Sequence, residues 1–275
     1  MLNIKQNEYK EEVKMARKIW IVDAFTHKAY GGNPAGVMIV DDFPADAQNI
    51  AAELNLSETA FVKPLGGNHF HIRWMTPAVE VRLCGHATLA ACHTLYEQGL
   101  FTHNKIQLES LSGPLFVTRE DDFFILDFPL QPTGPVIDHT FLAQALGAEE
   151  HVIEAVQAHD DVIVLLESEE VLKNLTPDFA ALNTIDARGI IVTAKSQHYD
   201  FVSRFFAPRV GVDEDPVTGS AHCKLADYWQ KKLKKTTFKA YQLSARGGEI
   251  HLSIEKDRVH LKGKAVTIME GLWKV

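Results

Sequence analysis

The chain has 275 residues, of which 46% are hydrophobic and 23% charged, as is typical of a globular protein with a sizeable core. Its net charge of −8 disfavours broad nucleic-acid binding, which needs a basic surface. No apolar run approaches the about 18 residues of a membrane helix, and three cysteines without a C-x-x-C pair give no disulfide framework. These features predict a cytoplasmic protein without a nucleic-acid or membrane partner.

The first residues differ in character from the rest of the chain. Residues 1–14 are mostly polar and lack the apolar centre of a signal peptide. After Met15 the pattern changes to a strand-like run rich in bulky apolar residues at 18–25. Residues 10–14 can also be encoded by a purine-rich ribosome-binding sequence. We therefore expect a start at Met15 and a mis-assigned extension before it; the alternative is a short disordered or helical arm.

The chain contains an internal repeat. Residues 70–77 (FHIRWMTP) resemble residues 201–208 (FVSRFFAP), with Phe, Arg, an aromatic residue and Pro at identical spacing. The tetrad CGHA (84–87) follows the first segment and TGSA (218–221) the second, and each opens a stretch of helical periodicity. The order of strand, Pro turn, Gly turn and helix thus occurs twice, which indicates a duplication into two similar domains.

The predicted elements, in chain order, are short strands with one main helix in each half, so the sequence predicts an α+β fold. Helices are predicted at 45–54, 86–98, 141–146 and 220–233, and strands at 105–109, 115–119, 123–128, 152–157, 162–167, 189–194, 240–243, 250–254 and 265–269. Three prolines within 129–135 predict a linker. The predicted domains are residues 15–131 and 132–275, with the last ten or so residues packing on the first domain.

Both main helices begin at a glycine turn, at Gly85-His86 and at Gly219-Ser220. A helix N-terminus presents unpaired N–H groups and about half a positive charge, which suits a carboxylate or a developing oxyanion. Glycine also lets a ligand approach the backbone closely. If the repeats pack about a pseudo-twofold axis, both helix starts face one cleft, and the repeat therefore predicts a carboxylate-binding site there.

Acids and bases of different kinds surround these turns. Glu58 lies between a predicted helix and a strand, Asp215 precedes the second turn, and His86 occupies the first. A carboxylate that is partly desolvated in a cleft has a raised pKa and can transfer protons near neutral pH. The alternative is that Glu58 is a surface or capping acid, Asp215 a helix-terminal acid and His86 a helix cap.

Four motifs follow one another along the chain: GNPAGV (32–37), SETAFV (57–62), EVRLCGHAT (80–88) and EDPVTGSA (214–221). In this order they resemble the PhzF-like family of phenazine biosynthesis, a relative of diaminopimelate epimerase. The resemblance implies two similar domains, each a curved β-sheet or barrel around a central helix, with the site between them. It also implies cofactor-independent isomerisation and, commonly, a homodimer.

The resemblance further implies a role for each residue that matches its motifs. Glu58 is the proton-transferring acid/base, and Asp215 and His86 complete the catalytic set. The implied substrate-binding residues are Gly85, Gly219, Ser220, Cys84, Thr218 and Asn33. The expected partner is a small-molecule carboxylate substrate. Neither a metal nor a nucleotide cofactor is expected, because the histidines are scattered and no glycine-rich nucleotide motif occurs.

The epimerase relationship discriminates between mechanisms. Two-base epimerisation, as that resemblance implies it, needs a thiol on each face of the α-carbon, and the corresponding positions here are Cys84 and Thr218. A threonine hydroxyl is a far weaker acid than a thiol, so we expect one carboxylic acid, Glu58, to move the proton along an unsaturated system. The phenazine enzymes themselves are expected to carry another residue in place of Cys84 and Pro in place of Ala87. The resemblance therefore does not carry their substrate to this chain.

Other functions stay open beside a cofactor-independent isomerase of a small unsaturated or cyclic amino or hydroxy acid. One is a non-catalytic small-carboxylate-binding protein on the same fold. Glu58 with Asp215 and Ser220 favours the enzyme, because binding an anion needs the helix ends but no protonatable acid. Another is that Cys84 is a nucleophile at a helix start, where the pKa of a thiol falls. His86 lies only two residues away, which is too close in sequence for the usual partner.

Overall fold

The computed structural model describes residues 16–274. The expectations for residues 1–14 and for a start at Met15 lie outside the described residues. Within residues 16–274, no helix is both long and apolar enough to cross a membrane.

The described residues form seventeen strands and six α-helices. The strands are β1 (Arg17–Ala24), β2 (Asn33–Ile39), β3 (Glu58–Gly66), β4 (His69–Met75), β5 (Glu80–Val81), β6 (Lys105–Glu109), β7 (Leu115–Glu120), β8 (Phe123–Pro129), β9 (Val136–Ile137), β10 (Val152–Ala158), β11 (Asp161–Leu166), β12 (Ile190–Ala194), β13 (Phe201–Phe206), β14 (Thr237–Gln242), β15 (Gly248–Glu255), β16 (Arg258–Gly263) and β17 (Ala265–Trp273). The helices are α1 (Ala47–Leu54), α2 (Gly85–Glu97), α3 (Thr140–Leu146), α4 (Glu169–Lys173), α5 (Phe179–Leu182) and α6 (Gly219–Leu233).

The first compact unit consists of residues 16–24, 34–118 and 265–274. Its strands pair in the order β17-β1-β2-β3-β4-β6-β7, and β17 runs antiparallel to β1 along the whole of β1. Helix α2 packs on β1, β3 and β17, and nine of its thirteen residues are buried. A helix that is apolar on most of its circumference is stable only when it is enclosed, so α2 is the central helix of this unit.

The second compact unit consists of residues 25–33 and 119–264. Its strands pair in the order β9-β10-β11-β12-β13-β14-β15-β16-β8. Helix α6 packs on β15 and β16, and ten of its fifteen residues are buried. Strands β11 and β12 are buried at every position, as expected for strands that are covered on both faces.

The two units repeat the same pattern of strand pairing. In the first unit β2–β3 is parallel, β3–β4 antiparallel, β4–β6 parallel and β6–β7 antiparallel. In the second, β11–β12, β12–β13, β13–β14 and β14–β15 alternate in the same way. The repeated sequence segments form the third strand of each series, β4 and β13. The two series have the same order of parallel and antiparallel pairings over four consecutive pairs, which supports the duplication predicted from the sequence.

The compact units divide the chain at 118/119, whereas the sequence predicts a domain boundary at 131/132. The reason is that β8, which precedes the predicted linker, pairs along its length with β16. The Pro-rich segment itself is hydrogen-bonded within the second unit, where Gly134 N–H donates to the Gln157 carbonyl at 2.7 Å. The ranges 15–131 and 132–275 therefore stay a prediction about the repeats, and the compact units have other limits.

The predicted helices begin within two residues of α1, α2, α3 and α6. Strand β16 was missed, although RVHLKG alternates polar with apolar residues in the way that is typical of a half-buried strand. Helices α4 and α5 have five and four residues, too few for helical periodicity to appear.

Candidate active site

Glu58 is the first residue of β3 and lies opposite Ala35 in the parallel pair β2–β3. The motifs GNPAGV (32–37) and SETAFV (57–62) therefore lie on neighbouring strands. The Glu58 side chain is only 18% exposed. The carboxylate is therefore largely enclosed and keeps a limited exposed surface.

The start of α2 brings Cys84 and His86 to this carboxylate. Cys84 is the N-cap residue and His86 the second residue of the helix. His86 Nε2 lies 3.2 Å from Glu58 Oε2, and His86 Nδ1 lies 3.5 Å from Cys84 Sγ. The imidazole ring thus contacts the carboxylate with one nitrogen and the thiol with the other. We call Glu58, Cys84 and His86 the Glu58 cluster.

Burial determines the charge of the ring. His86 is 5% exposed, and burial lowers its pKa to about 3. The imidazole is therefore neutral at physiological pH and carries a single N–H. The contact with Glu58 is accordingly a close approach of a neutral ring to a carboxylate and not an ion pair between two full charges.

Among the described residues, the Glu58 cluster is the group whose ligand atoms could hold a metal ion, since they lie within 4.8 Å of one another. One ion can bind only one nitrogen of an imidazole ring. In this cluster the two close contacts use different ring nitrogens. The ring thus lies between the carboxylate and the thiol, and coordination of one ion, at about 2.0–2.3 Å from each ligand, would require the side chains to rearrange.

In the second unit, a second cluster forms around the carboxylate of Asp215. This carboxylate accepts hydrogen bonds from Asn33 Nδ2 at 2.8 Å and from the Thr218 hydroxyl. Burial raises the pKa of Asp215 to about 6, although both hydrogen bonds oppose the shift. This carboxyl group therefore exchanges a proton close to neutral pH, as general acid–base groups do. We call Asp215, Thr218 and Asn33 the Asp215 cluster.

Buried amides hold the Asp215 cluster in place. The Asn33 amide also donates to the Val217 carbonyl at 3.0 Å. Gln242, at the end of β14 and fully buried, accepts from Thr218 N–H at 2.9 Å and donates to the Asp215 carbonyl at 2.7 Å. Asn33 is also fully buried, so its contacts support a role in orienting Asp215. Sequence reasoning missed Gln242, because a single polar residue at a strand end carries no distinctive pattern.

Arg188 is a second residue that sequence reasoning missed. It precedes β12, and its Nη2 donates to Ser220 Oγ at 3.1 Å and to the buried carboxylate of Asp161 at 2.5 Å. The positive charge of Arg188 also lowers the pKa of Asp215, against the larger effect of burial. The Lys224 ammonium group contacts Asp161 as well and is itself 1% exposed. The buried carboxylate of Asp161 therefore binds both cations and fixes Arg188 beside the start of α6.

The structure thus gathers the predicted site residues into two groups, one in each unit. Glu58 and Cys84 each contact His86, and Asn33 and Thr218 each donate a hydrogen bond to Asp215. Gly85 and Gly219 are the first residues of α2 and α6. Ser220 is exposed and contacts Arg188 instead of Asp215. The substrate-binding and catalytic roles of these residues stay predictions.

Comparison with known proteins gives a consistent result. Residues 22–271 match the family of phenazine biosynthesis-like proteins, PhzC-PhzF. An uncharacterized isomerase of Pseudomonas aeruginosa is 50% identical over 252 residues, which cover 91% of this chain and 95% of the relative. A crystal structure of a PhzF-family phenazine biosynthesis protein from Enterococcus faecalis is 40% identical, with a TM-score of 0.91 over 95% of this chain and 100% of that one.

A more distant crystal structure, a hydroxyproline epimerase from Agrobacterium vitis, has a TM-score of 0.61 at 11% identity and covers 95% of this chain and 93% of that one. At this identity the likeness concerns the fold alone. The fold and the relatives define an isomerase with an epimerase-like architecture. The chain belongs to the phenazine biosynthesis-like family, PhzF. The predicted family, the α+β fold class and the assignment as an isomerase are confirmed.

Proposed function

We propose that the protein moves a proton on a small unsaturated or cyclic amino or hydroxy acid, without a cofactor and with Glu58 as the acid/base. The observation that carries this proposal is the contact between Glu58 and a neutral, buried His86, at 3.2 Å between Oε2 and Nε2. A neutral ring at this distance does not hold the carboxylate in an ion pair, and it leaves the carboxylate able to accept a proton from carbon. This is the arrangement that a general base requires.

In this proposal the Asp215 cluster binds the polar substituent of the same substrate. Asp215 has a pKa of about 6, so it can accept a hydrogen bond from an amino or hydroxyl group and adapt its own protonation to it. The N–H groups at the starts of α2 and α6 bind the substrate carboxylate and stabilise negative charge as the proton leaves carbon. Glu58 then returns the proton to another carbon of the unsaturated system.

The contacts of Thr218 disfavour a two-base racemase. Its hydroxyl donates to Asp215, and the residue is 6% exposed. A hydroxyl group in this role binds a carboxylate and has no acidity comparable to that of a thiol. One face of the substrate would then lack a proton carrier, and the single carboxylic acid Glu58 accounts better for proton transfer.

The test is deuterium incorporation into a panel of small unsaturated and cyclic amino and hydroxy acids in heavy water. We expect the protein to exchange protons of at least one of them and Glu58→Gln to abolish the exchange. The matched control is Glu53→Gln, an exposed glutamate five residues earlier on α1. Binding of an acid without exchange by the unmodified protein would favour the alternative of a non-catalytic carboxylate-binding protein.

We also propose that the protein is cytoplasmic, as its cysteine usage indicates, and that it forms a homodimer, as the family resemblance implies. Light scattering coupled to size-exclusion chromatography tests the second statement: the expected mass is about twice 30.7 kDa. A mass equal to that of one chain at micromolar concentration would contradict the dimer and leave the proposed reaction unaffected.

A further inference from the structure

Cys84 occupies the N-cap of α2 without capping it. Its side chain accepts no helix N–H, and its carbonyl instead accepts from both the N–H and the hydroxyl of Thr88, at 3.1 and 2.5 Å. The thiol lies 3.5 Å from His86 Nδ1. Serine, threonine, aspartate or asparagine would be favoured at an N-cap whose only task is to start the helix. The contact with His86 gives the cysteine another task.

The opposite nitrogen of the same ring limits what this contact can be. A neutral imidazole has one N–H and one lone pair. If Glu58 is the base, the N–H belongs on Nε2, which lies 3.2 Å from its carboxylate, and the lone pair is then on Nδ1. A lone pair in a buried environment needs a donor, and the Cys84 thiol is the group in contact with it.

We propose that Cys84 is a positioning residue: its S–H donates to His86 Nδ1, which holds the N–H on Nε2 and directs it at the Glu58 carboxylate. This inference rests on the proposed role of Glu58 as the base. The chain Cys84–His86–Glu58 is then a continuous series of donors and acceptors, S–H to Nδ1 and Nε2–H to Oε2. No proton leaves the thiol in this role.

The surroundings also disfavour a nucleophilic role for Cys84. A thiolate is formed readily beside a cation such as a protonated histidine. His86 has a pKa of about 3 and supplies no positive charge at neutral pH. Cys84 is moreover 7% exposed, so little of it can reach a substrate. A protonated thiol that donates to a neutral ring agrees with both facts.

Nitrogen NMR of the full chain with ¹⁵N-labelled histidine tests the inference without a substrate. Loss of one pair of signals in His86→Gln assigns this ring among the thirteen histidines. We expect a protonated Nε2 and an unprotonated, hydrogen-bonded Nδ1 in the unmodified protein. In Cys84→Ala the Nδ1 signal is expected to move to the position of a lone pair without a donor, and Cys84→Ser should restore most of the shift.

The matched control is Cys92→Ala, a second buried cysteine on the same helix, which should leave the His86 signals in place. If Cys84→Ala does not fold, the tautomer of the unmodified protein and the Cys84→Ser spectrum still decide. A protonated Nδ1 in the unmodified protein overturns the inference, because the sulfur would then accept instead of donate. An unchanged Nδ1 signal in folded Cys84→Ala overturns it as well.

Deuterium exchange separates this inference from the proposed function. Loss of one hydrogen bond should slow exchange by Cys84→Ala about fivefold, against at least 100-fold for Glu58→Gln, and Cys84→Ser should recover the rate. Exchange that survives Glu58→Gln refutes the proposed function whatever the tautomer. Equal, complete loss in Cys84→Ala and Cys84→Ser, with an unchanged Nε2–H tautomer, refutes the positioning role and makes the sulfur itself the reacting group.

Discussion

The starts of α2 and α6 have the same backbone plan and different chemistry. Each follows a strand whose arginine pairs with a glutamate through two hydrogen bonds, Arg73 with Glu80 and Arg204 with Glu214. Each helix begins with glycine after an extended N-cap residue, Cys84 or Thr218, whose side chain does not cap it. The features that the two repeats share are thus the arginine–glutamate pair, the extended N-cap residue and the glycine at the helix start.

The side chains at equivalent positions have diverged. His86 corresponds to Ser220 in the aligned tetrads, and Thr88 corresponds to His222 at the next position. The ring of His222 is fully buried, with Nδ1 2.8 Å from the Thr218 carbonyl, where Thr88 uses its hydroxyl on the carbonyl of Cys84. The carbonyls of Cys84 and Thr218 occupy equivalent positions, and a different side chain hydrogen-bonds to each of them. This difference teaches that duplication kept the hydrogen-bonding requirement of each helix start, while the acid–base groups became specific to each unit.

The largest expected difference between the two units is in catalysis. Glu58→Gln keeps the shape of the side chain and removes the titrating oxygen, so deuterium exchange should fall by about 10²–10⁴-fold with binding nearly unchanged. Asp215→Asn should weaken binding as well as exchange, because Asp215 is proposed to hold the polar substituent. Calorimetric titration and exchange rates for both variants measure the contrast. Equal exchange by Glu58→Gln and the unmodified protein would move the acid–base role to Cys84.

The two arginine–glutamate pairs should differ in their contribution to stability. The Arg204 side chain is 12% exposed and also donates to the carbonyls of Leu172 and Leu175, whereas Arg73 is 32% exposed. Arg204→Met leaves the partly buried carboxylate of Glu214 and two carbonyls without this donor, which should lower the free energy of unfolding by about 3 kcal/mol. Arg73→Met should lower it by about 1–2 kcal/mol.

Urea unfolding of each variant measures the two losses in the free energy of unfolding, and the loss should be larger for Arg204→Met than for Arg73→Met. The control is Lys18→Met, which removes an exposed ion pair with Glu270 and should change stability by less than about 0.5 kcal/mol. Equal losses for Arg73→Met and Arg204→Met would show that the second unit gains nothing from the deeper burial of its pair.

The Asp215 cluster should make stability depend on pH in a way that the Glu58 cluster does not share. Because folding raises the pKa of Asp215 from 3.8 to about 6, its stabilising contribution is full below pH about 3.8 and is lost as the pH rises through about 6. Asn cannot ionise. Asp215→Asn should therefore gain stability relative to the unmodified protein between pH 4 and pH 7, by up to about 3 kcal/mol.

Melting temperatures of both proteins across this range give the measurement. For His86 and His222 the sign is opposite: burial lowers their pKa values to about 3 and about 4, so the stability they contribute is full above about 6.5 and is lost towards those values. Both proteins keep His86 and His222. The effect of these histidines therefore cancels in the difference between the melting temperatures of Asp215→Asn and the unmodified protein. A difference that is independent of pH would contradict the raised pKa of Asp215.

The sequence was sufficient for those parts of the fold and site that depend on local pattern. Glycine turns with apolar periodicity predicted α2 and α6, and the motifs around Glu58 and Asp215 matched the family. Gln242 and Arg188 were not predictable in this way, because their importance comes from contacts with residues 24 to 32 positions away. The sequence analysis also judged His86 too close in sequence to be a partner of Cys84. The structure shows a contact between the two side chains, and the Cys84 thiol does not cap the helix.

The smallest expected effect sharpens the comparison of Cys84 with Thr218. The Thr218 hydroxyl donates to Asp215, and this hydrogen bond lowers the pKa of Asp215. Thr218→Ala removes the hydroxyl, so the pH at which Asp215 ionises should rise. Exchange should fall by less than about tenfold, because one hydrogen bond contributes about 1 kcal/mol and threonine carries no proton in the proposed reaction. Thr218→Ser keeps the donor and should behave as the unmodified protein. The pH profile of exchange distinguishes the outcomes: an upward shift of the acid limb with a modest loss supports a binding role, whereas complete loss in Thr218→Ala at every pH would require a second proton carrier at this position.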